Sequence, residues 1–176
     1  MKLKNNSTEY GLISKSFHWL SAAVLAVQIP LGFYLVDMDF SEKRITVENI
    51  HVIMGLSILY LTIFRLIYKF FSKSPKLIPE AFIGQNLIAK ANHFALYVAL
   101  LTITTSGILK KLFNGEKLNF FIFKLRIEDN FDLADQFYNI HVISNYTLIA
   151  LITLHIFAVL FHQIFLKENI LKRMTK

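Results

Sequence analysis

The sequence predicts an all-α protein, an integral membrane four-helix transmembrane bundle. Three observations lead there. The chain is 55% apolar, with a mean hydropathy of +0.48. Four apolar runs each approach the roughly 20 residues that cross a hydrocarbon core at about 1.5 Å per residue. Most charged residues collect between those runs and at the chain ends, while several histidines lie inside them. With 176 residues, the chain suits a single domain over 1–176.

The first span is expected over 17–36, behind a polar N-terminus that shows no cleavable signal: the run is too long for a signal core and no small-residue cleavage site follows it. A polar connection over 37–48 leads to the second span, 50–70. Ser74-Pro75 and Pro79 break the chain before the third span, 86–109. The longest connection, 110–137, carries Phe120-Phe121-Ile122-Phe123, a candidate amphipathic piece for the membrane interface. The fourth span is expected over 138–166. No internal repeat appears.

Lys and Arg set the orientation. Twelve of the 19 lie in the N-terminal tail, the second connection with its flanks, and the C-terminal tail; the other seven lie in the first and third connections. Both termini are therefore expected to be cytoplasmic. The net charge of +7 follows this membrane asymmetry, so no nucleic acid is expected as a partner.

An ionisable or metal-ligating side chain inside a membrane span is costly and calls for a reason. His141 and His155 stand fourteen residues apart on the fourth span, about 21 Å along a helix and within about 40° of one face. Depth follows from the orientation. His51 and His141 fall near the outer side, while His18 and His155 fall on the cytoplasmic side. Two imidazoles gripping one iron from facing helices describe a six-coordinate b-type haem, which favours electron transfer because no iron position is left open. Two such pairs put two b-type haems in the bundle core.

Other arrangements compete. A histidine in a span also serves as a plain interhelical hydrogen-bonder. Zinc is disfavoured, because bare histidine pairs without carboxylate or thiol make poor zinc sites. The absence of cysteine excludes disulfides, cysteine-ligated clusters and thioether-linked haem. His162 shares the face of His155 and competes to pair with His18. That choice would separate the sites by about 31 Å, nearly the whole core thickness, so His155 is preferred. Gly32, Gly55 and Gly107 either let a macrocycle approach the backbone or serve ordinary helix packing, and packing is the commoner use.

Several matching residues give the chain a family likeness: Ser16-Phe17-His18-Trp19, His51 through Gly55 leading to Phe64-Arg65-Leu66, and His93 with its apolar run. The fourth span with His141, His155 and His162, and the basic tail 167–173, complete it. The chain resembles the bacterial cytochrome b561 family, in particular its superoxide oxidase branch, over nearly its whole length. The resemblance implies two b haems held by His18 with His155 and by His51 with His141, and a place in the bacterial inner membrane. It also implies oxidation of superoxide at the outer face and reduction of ubiquinone. Other members of the family are haem subunits between the quinone pool and a partner dehydrogenase or hydrogenase. They are often longer, and the size of this chain leans toward the oxidase branch.

The remaining polar residues have two readings each. His93 and His162 are quinone-site candidates, since a histidine can hydrogen-bond a quinone carbonyl and deliver a proton; they are equally polar bridges between the third and fourth helices or haem-propionate contacts. Lys15 and Arg65 are candidates to neutralise haem propionates. Lys69 reads as an interfacial lysine and Trp19 as a belt residue. Lys110, Lys111, Lys117, Lys124 and Arg126 form a basic stretch that would steer superoxide electrostatically; a solvated loop, balanced by the acids of 127–137, is the plainer alternative.

Overall fold

The computed structural model describes residues 2–76, 80–120 and 123–175. Pro79, Phe121, Ile122 and Lys176 fall outside them. Four helices long and apolar enough to cross a membrane dominate: α1 (Leu12–Val36), α2 (Glu42–Phe71), α3 (Gln85–Phe113) and α4 (Phe131–Ile164). They alternate in direction, as short connections between bundle helices require. α3 packs most extensively on α4, with α1 against α2 and α2 against α3.

α1, α2 and α3 contain their predicted spans, whereas α4 stops at Ile164, short of the expected 166; α1 starts and α3 ends outside the limits set by hydropathy, and α2 and α4 start well before them. The reason is local. Ser41 accepts a hydrogen bond from the Arg44 N–H at 3.2 Å, and Asn130 accepts one from Leu133 N–H at 3.0 Å. Such caps satisfy the first free amides of a helix, so α2 and α4 start well outside the apolar run. The connections expected over 37–48 and 110–137 are correspondingly shorter.

Between α3 and α4 the chain forms a small antiparallel hairpin, β1 (Leu118–Asn119) with β2 (Lys124–Leu125). Of the interfacial segment expected over Phe120–Phe123, Phe121 and Ile122 lie outside the described residues, while Phe120 follows β1 and Phe123 precedes β2. Phe120 and Phe123 stack with ring centres 4.8 Å apart, and Tyr60 of α2 donates to the Phe120 carbonyl at 3.0 Å. Gly115 turns the chain into this hairpin with φ +73, a conformation that favours glycine.

Two apolar clusters fill the bundle. Ile58, Ala99, Leu100 and Leu148 form one; Leu56, Leu112 and Leu118 form the other, under the hairpin. Many large apolar residues face outward, among them Leu20, Val27, Phe94, Val98 and Phe157, as a lipid-facing surface demands. Both chain ends gather at one end of the bundle. Lys76 N–H donates to the Ser7 carbonyl at 2.9 Å, Arg173 to the Lys76 carbonyl at 2.7 Å, and the Trp19 indole to the Met174 carbonyl at 2.8 Å.

Candidate functional site

The alternating helices bring the histidines together in pairs. The rings of His51 (α2) and His141 (α4) have centres 6.3 Å apart, and so do those of His18 (α1) and His155 (α4). The two pairs lie about 21 Å apart along α4 at roughly 1.5 Å per residue.

At the first level, His141 Nδ1 lies 2.8 Å from the Ile103 carbonyl oxygen of α3. A carbonyl can only accept, so Nδ1 carries the proton and Nε2 keeps its lone pair. The glycines answer to the imidazoles. A Cβ on Gly107 would come within 3.0 Å of the His141 ring, and one on Gly32 within 3.2 Å of His51. These two glycines therefore let α1 and α3 close against the histidine rings. Gly55 lies beside Gln28, where a Cβ would make only ordinary contact at 3.6 Å.

At the second level, His93 joins the pair: its ring centre is 5.2 Å from that of His155. Arg65 Nη2 lies 3.4 Å from His18 Nδ1. The Arg65 and Lys69 cations both lie over the Tyr97 ring, at 5.6 and 5.0 Å, an arrangement that the ring quadrupole stabilises. Trp19 packs edge-on to His18 at 5.3 Å while tethering the C-terminal segment. Lys15 is buried and lines a crevice with Ser16, Trp19 and Thr175.

His162 stands apart from this group. It is buried, and its Nδ1 lies 2.7 Å from Glu168 Oε2. Glu168 folds back onto α4 through a left-handed turn at Lys167, φ +55.

Of the basic stretch, Lys117, Lys124 and Arg126 are exposed and Lys110 is half-buried. Lys111 differs: it is 7% exposed and bridges Glu48 at 3.1 Å and Glu116. It ties α2, α3 and the hairpin approach together and is not presented to solvent as a steering charge. The sequence reading missed Glu48 and Glu116 as its partners, Tyr97 beneath the cations, and Gln28. Of these only Gln28, an amide inside an apolar run, carried a signal.

The family profile of the prokaryotic cytochromes b561 matches residues 9–176. The chain is 28% identical to "Cytochrome b561 homolog 2" of Escherichia coli (strain K12), over 99% of this chain and 95% of that protein. It is 26% identical to "Probable superoxide oxidase CybB" of Yersinia pestis, over 94% of this chain and 95% of that protein. The family carries electrons in bacterial membranes on b-type haem, and this multi-pass chain belongs to the prokaryotic cytochrome b561 family.

Proposed function

We propose that the chain is a di-haem superoxide:ubiquinone oxidoreductase of the bacterial inner membrane, with both termini in the cytoplasm. The observation that carries the di-haem part of this reading is the equal spacing of the two histidine pairs. An imidazole centre lies about 1.1 Å from its nitrogens, and a metal–imidazole bond is about 2.0–2.1 Å long, so two rings across one metal have centres about 6.3 Å apart. Both pairs have that separation. The proton on His141 Nδ1 also leaves Nε2 available as a ligand, in the usual arrangement in which the second nitrogen is held by a carbonyl.

His51 and His141 would hold the outer haem, His18 and His155 the inner. Bound b haem supplies one-electron chemistry by cycling between ferrous and ferric iron. Ligation of His18 through Nε2 would put the proton on Nδ1, which then no longer accepts from Arg65. Arg65 is thereby freed to meet a propionate, with buried Lys15 as the second candidate.

Two superoxide ions each give up one electron and leave as oxygen; one ubiquinone takes both electrons and two protons and leaves as ubiquinol. The name of the Yersinia pestis relative supports superoxide as donor. The exposed Lys117, Lys124 and Arg126 supply positive charge at the outer end. On the inner side, His93 is the better placed quinone-site candidate, because its ring packs on His155, whereas His162 is held by Glu168.

Stopped-flow spectroscopy of the purified protein tests the proposal. Superoxide should reduce the haem rapidly, and ubiquinone should reoxidise it. Haem that superoxide leaves oxidised would instead favour an electron-transfer subunit serving a dehydrogenase or hydrogenase.

A further inference from the structure

Gln28 sits in an apolar stretch of α1 and is only 9% exposed. A buried amide that is left unpaired is destabilising, so its contacts are informative. Its Nε2 donates to the backbone carbonyl of His51 at 3.0 Å. Within α2 that carbonyl already faces the amide of Gly55, so the Gln28 bond is additional and ties α1 to α2 at the histidine itself.

Two buried polar atoms near this seam have no partner among the described residues: Gln28 Oε1 and His51 Nδ1. They are complementary. If His51 ligates through Nε2, its Nδ1 carries a proton and needs an acceptor; the Gln28 oxygen needs a donor. Both lie on one seam. Gly32, one turn beyond Gln28, faces the edge of the His51 ring, with a Cβ position 3.2 Å from Cε1 and 3.9 Å from Nδ1. His141, opposite, has the acceptor that His51 lacks, in the Ile103 carbonyl.

We infer that Gln28 is a positioning residue for His51, its side-chain oxygen accepting the His51 Nδ1–H through one buried water. Such a water commonly satisfies two buried groups at once. The bond fixes the tautomer and ring angle of His51 and raises its basicity as a ligand. A more basic ligand favours the ferric state, so Gln28 holds the outer haem at a lower reduction potential. His141 is then fixed by a backbone carbonyl and His51 by a replaceable side chain.

The inference rests on the di-haem reading and is tested on the full chain purified with its haem. Redox titration and electron paramagnetic resonance are run on wild type, Gln28→Leu, Gln28→Met and Gln28→Glu, and again with His155→Ala so that only the outer haem remains. The Leu and Met variants should raise the outer midpoint and shift its g-values. Gln28→Glu, with a stronger acceptor, should lower that midpoint, and the inner haem should not change. Loss of the outer haem alone from the Leu and Met variants supports the inference equally. An unchanged outer midpoint and signal, or loss of both haems from Leu and Met alike, would overturn it. His51→Ala separates the two ideas: if it leaves haem content intact, the ligand reading itself fails.

Discussion

His141 Nδ1 lies 2.8 Å from the carbonyl oxygen of Ile103 on the neighbouring helix. One hydrogen bond thus joins α3 to α4, fixes a tautomer and turns a lone pair inward. Gly107, four residues after Ile103 on the same face of α3, leaves room for the ring.

Gly107→Val would press a branched side chain against a ring already only 3.0 Å from the position of a Cβ. The expected outcome is loss of the outer haem with the inner retained, so that haem per chain falls by about half relative to wild type. Quantitative haem extraction reads this directly. A full complement in the variant would mean that His141 is not held where the haem needs it.

Lys111→Met should destabilise the fold. It strands Glu48 and Glu116, whose side chains are 33% and 43% exposed. Solvent screening reduces the cost of a broken buried pair, leaving about 1–3 kcal/mol. Thermal unfolding in detergent would show a lower midpoint, and adding Glu48→Gln should recover part of it. If the double variant is no more stable than the single, the pair is not coupled.

Neutralising Lys117, Lys124 and Arg126 to Gln should slow haem reduction by superoxide and flatten its salt dependence, because attraction between exposed charges is screened over about 8 Å at physiological salt. Stopped-flow rates across a salt series check it. A wild-type rate indifferent to salt would remove steering from the account.

His93→Leu should leave both haem spectra intact and slow reoxidation by ubiquinone about a hundredfold, the lower end for loss of a proton-transferring group. Reoxidation at the wild-type rate would exclude His93 from the quinone site.

The spans and the grouping of the histidines at two levels were legible because they are statements about polarity and spacing along a chain: apolar runs mark helices, and histidines fourteen residues apart on one helix fall at two levels. The helix ends were less so. α2 and α4 extend past their apolar runs from caps at Ser41 and Asn130, whose effect is independent of hydropathy. The tie on His141 could not be read at all, since its partner is a backbone carbonyl, which every residue possesses. Lys111 looked like its basic neighbours because the carboxylates that bury it are brought to it by folding, Glu48 from another helix. The glycines carried two readings, approach of a macrocycle or ordinary helix packing, and only folding shows that Gly32 and Gly107 face the imidazoles.

The most direct measurement is haem b per chain in wild type, His141→Ala and His155→Ala, by pyridine haemochrome assay against protein mass. Two are expected in wild type and one in each variant, with different spectra for the haem that remains. One haem in wild type, or two retained in either variant, would contradict the di-haem reading.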